Sequence, residues 1–239
     1  MLHTSTEHEV LAVVFQVRGL ASGKPDLDVL LWQRALEPER GKWSLPGGRL
    51  GAAEDLITSV RRQLAEKVDL REVAHLEQLA VFSDPDRVPG GRVIGSTFLG
   101  LVPSPATPAL PPDTHWHPVN DLPPMAFDHE PMVAHARSRL AAKLSYTNIG
   151  FALAPRQFAV STLRDIYGAA LGYQVDATNL QRVLARRGVI SRTGTTAHPG
   201  RSGGRPAALY RFTDARLRVT DEFATLRPSG SQTGILDPS

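Results

Sequence analysis

The residues best equipped for chemistry lie between Gly41 and Leu70, in the stretch GKWSLPGGRLGAAEDLITSVRRQLAEKVDL. The pair Gly47-Gly48 is free to take positive φ, which would let backbone N–H groups approach a ligand closely. Past this turn Leu56, Ile57, Val60 and Leu64 recur at helical spacing. They are expected to bury one face and leave Glu54, Arg62, Gln63, Glu66 and Lys67 on the polar side. A loop leading into a helix that bears acids can hold a divalent cation over a diphosphate.

Gly48 is followed after five residues by Glu54 and after seven more by Arg62, with Leu64, Glu66 and Leu70 at matching positions beyond. This spacing, with its lead-in Trp43-Ser44-Leu45-Pro46-Gly47-Gly48, resembles the Nudix box. In an active member of that family, carboxylates at the positions of residues 63, 66 and 67 converge on Mg²⁺ or Mn²⁺. Here those positions carry Gln63, Glu66 and Lys67, and Asp69 stands where the family has glycine. An amide, one carboxylate and an ammonium sum to no net charge, so a divalent cation loses its main attraction. The expectation is a Nudix fold that binds its nucleotide without cleaving it, with no catalytic residue and no metal. For Lys67 two roles stand open: counter-charge to a diphosphate in place of the lost metal, or pairing with a neighbouring acid on the helix surface.

The elements that must position these groups follow from composition and pattern. The 239 residues suffice for one large or two modest domains. There is no cysteine, hence neither disulfide nor thiolate metal site, which fits a cytoplasmic protein. No apolar run approaches the ~20 residues of a bilayer span, and MLHTSTEHEV does not read as a signal peptide. The formal net charge is only +3, but it is unevenly placed. Residues 1–150 hold 15 Lys and Arg against 18 acids, and residues 151–239 hold 12 Arg, no Lys and 6 acids. Two domains with different partners are expected, the second partner polyanionic.

In chain order, Val10 to Val17 and Asp28 to Arg34 read as strands around a Gly/Pro/Ser loop. Gln33 and Arg34 face either a ligand or solvent, and Trp32 and Trp43 either stack on a base or pack in the core. Leu76 to Phe82 and Arg92 to Val102 read as two more strands flanking the turn SDPDRVPGG. That turn followed by Arg-Val-Ile resembles the Nudix subgroup that takes ADP-ribose. The resemblance makes Arg34 and Arg92 candidates for diphosphate or ribose contacts; the alternative is a local turn network of Asp84, Asp86 and Arg87. Pro103 to Pro112 reads as a surface connection and His115 to Val119 as a short strand. Its two histidines suit either a metal, for which no third ligand is apparent, or a polar surface. Phe127-Asp128-His129 precedes a helix carrying Met132, Ala136, Leu140 and Leu144 on one face. This tripeptide and Leu144-Ser145-Tyr146-Thr147 also resemble the ADP-ribose subgroup, specifically its regulatory branch.

Gly150 marks a boundary in composition, giving an effector-binding domain over 1–150, a second domain over 151–227 and a disordered tail over 228–239. Leu163, Ile166, Tyr167, Ala170 and Leu171 form the stripe of a helix capped by Ser161 and closed by Gly172. After a short turn, Asp176 caps a second helix that ends at Arg187-Gly188. It has Ala177, Leu180, Val183 and Leu184 inward and Thr178, Asn179, Arg182 and Arg186 outward. Helix, turn and helix with Asn and Arg outward is the pattern of a helix-turn-helix that reads a major groove, the alternative being a merely solvated face. Val189 to Thr193 and Ala207 to Phe212 then alternate as a hairpin whose Gly-rich loop holds Arg201 and Arg205, suited to phosphate or minor-groove contact as a wing. Beyond Phe212, Leu217, Val219, Phe223 and Leu226 fit a helical stretch.

Taken together, the chain to Phe212, with its FALAP and GRPAALYRF segments, resembles the Nudix-related transcriptional regulators of NAD metabolism, the NrtR family. The resemblance implies an α+β Nudix domain ahead of a winged helix-turn-helix. It further implies a homodimer on a palindromic DNA operator near genes of NAD synthesis or salvage, repressing until ADP-ribose or a related nucleotide binds. Effector contacts would then involve Arg34, Gly47, Gly48, Lys67 and Arg92, and DNA contacts Thr178, Asn179, Arg182, Arg186, Arg201 and Arg205. No cofactor is required. Two other classes remain open: a metal-dependent ADP-ribose pyrophosphatase with a basic accessory domain, and a non-specific RNA-binding Nudix protein.

Overall fold

The structure, a computed structural model, describes residues 6–197 and 206–221. Its first half is organised around β1 (Glu7–Arg18), in which Val10 to Phe15 form an unbroken apolar run. Such a run belongs to a strand covered on both faces. Leu11, Val13, Phe15 and Val17 enter one core, while Val10, Ala12 and Val14 enter another. β1 pairs antiparallel with β2 (Asp26–Gln33) and in parallel with β6 (Val93–Val102). β3 (Trp43–Ser44) and β7 (Thr114–Pro118) add to β2, β5 (His75–Phe82) to β6, and β4 (Gly47–Arg49) to β1, completing a seven-stranded sheet.

One face of the sheet is covered by α1 (Leu56–Val68), whose Val60, Leu64 and Val68 pack on Val10, Ala12, Val14 and Phe98. Asp55 caps α1 by accepting the Thr58 N–H at 2.8 Å. The other face is covered by α2 (His129–Tyr146) and by α3 (Val160–Leu171) of the second half. The proline-rich Pro103 to Pro112 connection is tied down by Gln16, fully buried, which donates to the carbonyls of Pro103 at 2.9 Å and Ala106 at 2.8 Å.

The second half is a helix pair and a small sheet. β8 (Phe158–Ala159) leads directly into α3, a short turn leads to α4 (Ala177–Arg186), and β9 (Ile190–Thr196) pairs with β10 (Ala208–Phe212) in the order β8-β10-β9. Gly172 closes α3 at φ 78°, and Asp176 caps α4 by accepting the Asn179 N–H at 2.6 Å. The expected Ser161 cap is not used: the cap position falls two residues earlier, on Ala159, because the chain enters α3 straight from β8.

No apolar gap separates the halves. Leu163, Ile166, Tyr167 and Ala170 of α3 belong to the same buried cluster as Leu27, Val29 and Leu31 of β2 and Met132, Ala136 and Leu140 of α2. The junction, including a 3-10 turn at Ile149–Ala152, is buried. The segment after β10 folds back onto it. Asn148 donates to the carbonyls of Arg216 (2.8 Å) and Asp214 (3.4 Å) and accepts the Arg218 N–H at 2.7 Å, and Thr220 N–H donates to the Tyr146 carbonyl at 2.7 Å. Over its described residues this segment is not helical, as its spacing suggests, but irregular: Leu217 packs on the main core while Val219 is 55% exposed. Phe223, Leu226 and the tail over 228–239 lie outside the described residues.

Candidate functional site

On α1 the acidic remnant is fully engaged. Arg62 grips Glu54 through Nε (2.9 Å) and Nη2 (2.5 Å) and reaches Glu66 through Nη1 at 3.1 Å. Glu54 also accepts the Gly51 N–H at 2.7 Å. The Arg62 guanidinium, followed by that N–H, holds the Glu54 carboxyl down at about 2. Gln63, expected on the polar face, is 4% exposed: its side chain lies under Gly48, where an added Cβ would meet the amide at 2.7 Å, and contacts the Arg49 carbonyl at 3.3 Å. Ile57, expected inside, is 37% exposed. Lys67 pairs with no acid among the described residues; its ammonium stands 5.5 Å from the centre of the Trp32 ring.

The glycine pair does not take the backbone conformation expected of it. Neither Gly47 nor Gly48 has positive φ. They form β4 against β1, and a Cβ at Gly47 would run into the Val10 carbonyl oxygen. What this position demands is close strand approach, with Gly48 leaving room for Gln63.

These donors do not suit the divalent cation that the box serves in Nudix enzymes. Residues 63, 66 and 67 present a buried amide, an acid already paired and a cation, and among the described residues no group of three His, Asp or Glu could hold a metal.

A cavity of about 310 Å³ opens beside β4, lined among others by Glu9, Arg34, Gly48, Arg49, Gly90 and Phe127. Arg34 is fixed with its guanidinium 4.8 Å from the Phe127 ring centre and its Nε donating to the Pro38 carbonyl at 3.0 Å. Of the five residues expected at the effector, the structure brings Arg34 and Gly48 to this cavity. Gly47, Lys67 and Arg92 do not line it: Gly47 pairs with β1, Lys67 is on Trp32, and Arg92 donates to the Ser83 carbonyl at 2.7 Å.

Behind the cavity sits a group that sequence reading placed in a local turn. The turn exists, with Asp86 N–H on Asp84 at 2.8 Å, but the Arg87 side chain is wholly buried. It pairs with Glu9 at 2.6 Å and with both oxygens of Asp128 at 2.8 and 2.9 Å. Gly95 makes room for it, since a Cβ there would lie 3.2 Å from the guanidinium. All of Phe127-Asp128-His129 is thus in use: Phe127 under Arg34, Asp128 on Arg87, and His129 accepting the Leu45 N–H at Nδ1, 3.1 Å away. Burial, with Arg87 and Arg34 nearby, pushes the His129 imidazole down to about 3. His115 and His117 pack their rings edge-on to Trp43, at 5.6 and 4.3 Å between centroids.

In the second half, Thr178, Asn179, Arg182 and Arg186 are all exposed on α4, while Leu180 and Leu184 are buried. Asn179 accepts from Arg182 Nη2 at 2.8 Å, so the two polar groups are held together on one face. Arg201 and Arg205 lie outside the described residues. Arg187, just past α4, turns back: it donates to the Ser145 carbonyl at 2.8 Å and pairs with Asp221 at 2.5 Å. Sequence reading missed this clasp because its partners are 34 and 42 residues away.

A sheet sandwiched by helices, with a glycine-strand-and-helix box on one side, fused to a helix pair with a β-hairpin, defines a sensor-like α+β domain joined to a winged helix. The comparisons place it further. Residues 9–136 match the NUDIX domain, and residues 150–212 match the NrtR DNA-binding winged helix domain. The "ADPR responsive transcriptional repressor NtrR" of Acinetobacter baylyi is 30% identical over 193 residues, covering 78% of this chain and 76% of that one. The crystal structure of Shewanella oneidensis NrtR superposes with a TM-score of 0.73 at 30% identity over 86% of this chain and 94% of that one, and its complex with a 27mer DNA with 0.71 at 29% identity over 86% and 93%. An ADP-ribose pyrophosphatase of Methanocaldococcus jannaschii is 34% identical over 111 residues, covering 45% of this chain and 64% of that one. The chain belongs to the NrtR family of Nudix-domain, winged-helix regulators.

Proposed function

We propose that this protein is a sequence-specific DNA-binding repressor of genes of NAD synthesis or salvage, which senses ADP-ribose or a related nucleotide in its Nudix domain and does not hydrolyse it. The observation that carries the reading is the pairing, in one chain, of a Nudix box whose acids are spoken for by Arg62 with an exposed Asn/Arg face on α4. The names of the Acinetobacter and Shewanella relatives support the ligand and the DNA. The effector enters the cavity beside Arg34 and Gly48, and a homodimer places two copies of α4 in successive major grooves of a palindrome. No metal is required, because positions 63 and 67 supply none of the charge that would hold one.

Repression is relieved only as far as the effector prefers one arrangement of the chain over the other; a hundredfold relief needs coupling of about 2.7 kcal/mol. Gel shifts with DNA upstream of NAD genes, with and without ADP-ribose, test the reading. A shift that ADP-ribose reverses supports it, and no shift with any such fragment sinks it. One observation favours a second reading, a pyrophosphatase: Glu54, Arg62 and Glu66 of the box are intact, and the archaeal relative bears that name. Release of AMP from ADP-ribose in Mg²⁺ or Mn²⁺ would favour it.

A further inference from the structure

The side of α4 that meets the wing strands carries a polar cluster outside the set Thr178, Asn179, Arg182 and Arg186. Tyr210 on β10 is 5% exposed, yet its hydroxyl receives two hydrogen bonds, from Gln181 Nε2 on α4 at 2.8 Å and from Arg192 Nε on β9 at 3.1 Å. Arg192 stands opposite Tyr210 in the hairpin register, its guanidinium carbon 5.9 Å from the ring centre. At the helical pitch, Gln181 falls between buried Leu184 and exposed Thr178. The cluster therefore lies where the outward face of α4 passes into the hairpin.

A guanidinium held by a neutral hydroxyl differs from one held by a carboxylate, because its whole charge stays available to a third party. Arg62, Arg87 and Arg187 are neutralised by acids. Arg192 has no acid partner among the described residues, and there its Nη atoms have no acceptor. When a recognition helix lies in a major groove, its flank next to the wing borders a phosphate strand.

We propose that Arg192 is a backbone-phosphate contact at the edge of the groove that α4 enters, with Tyr210 a positioning residue that aims it. The inference rests on the DNA-binding reading above and adds to it a residue that sets affinity, not sequence preference.

The test titrates full-length protein with a promoter duplex and a scrambled duplex of equal length over a series of salt concentrations. Arg192→Gln is expected to weaken binding to both duplexes about equally, by about 5- to 20-fold, and to flatten the dependence of log K on log salt by about one. Arg192→Lys restores the salt slope, because the charge returns. Tyr210→Phe keeps the slope and loses about threefold in affinity, because charge remains while aim is lost. A role confined to holding the hairpin together would leave the salt slope unmoved in Arg192→Gln, and that result overturns the proposal, as does a loss confined to the promoter duplex. Wild-type protein that binds neither duplex overturns the repressor reading and this inference with it. Wild-type binding with an unaltered Arg192→Gln overturns the inference alone.

Discussion

At the scale of single residues, the site is governed by which charges are already satisfied. Restoring carboxylates with Gln63→Glu and Lys67→Glu should destabilise the protein by about 1–3 kcal/mol, since residue 63 is buried against the Arg49 carbonyl. Mn²⁺ should then raise the melting temperature of the double variant and not that of the wild type; equal responses would argue against charge cancellation at these positions. Two buried groups also pull stability in opposite directions with pH. The His129 imidazole, pushed down to about 3 by burial, stays neutral while the unfolded chain takes up a proton below about 6.5, so its stability is present at neutral pH and lost on acidification. The Asp28 carboxyl is raised to about 6 by burial, with Arg18 opposing and Asp26 adding, so its contribution is present in acid and lost as pH rises through 6. Between about pH 4 and 6 each changes stability by about 1.4 kcal/mol per pH unit with opposite sign. Urea denaturation across that window should show Asp28→Asn losing stability in acid relative to wild type and His129→Gln gaining it; parallel curves would refute the assignment. Neither histidine nor aspartate declared this in sequence, because burial by distant elements sets both values.

At the scale of elements, α2 is the member that touches both ends. Its start is pinned beside the cavity by Asp128 on Arg87, and its end, about 27 Å away for 18 residues, is clasped by Arg187 and by the segment through Thr220. As part of the proposed function, α2 transmits effector binding to the C-terminus of α4. Arg187→Gln should leave ADP-ribose affinity within about twofold by calorimetry while cutting the relief of DNA binding at least about tenfold; undiminished relief would rule α2 out as the path. The helices and most strands were legible because apolar spacing and end signals such as Asp176 and Gly172 are local. The clasp was not, since Asn148 finds its partners some 70 residues on, and the few apolar residues after Phe212 set no period of their own.

At the scale of the whole molecule, the shared core makes the two halves one folding unit. Trp32, Trp43 and Trp116 report on the first half alone and far-UV circular dichroism on both. Their denaturation midpoints should coincide, and two separated transitions would contradict a common core. Gly150→Ala should lower stability by about 1–3 kcal/mol, because the new methyl would stand 2.7 Å from the buried Tyr167 hydroxyl. The change of composition at Gly150 was plain in the sequence, as were the glycine box, its missing charge and the outward face of α4. The sequence could not reveal that α3 packs on the sheet of the first half, because an apolar stripe does not name what it will cover.

The folding-back of residues 213–221 onto Tyr146 and Asn148 bears on anyone who would splice this reader of DNA onto another sensor. A graft cut at Gly150 and ended at Phe212 would leave behind the strap that ties reader to sensor, and would strip α3 of the surface it was shaped against. Chimeras should exchange the module through Asp221 and carry the facing side chains of α2 and β2 with it; shorter transplants would yield a domain that grips its target yet hears nothing.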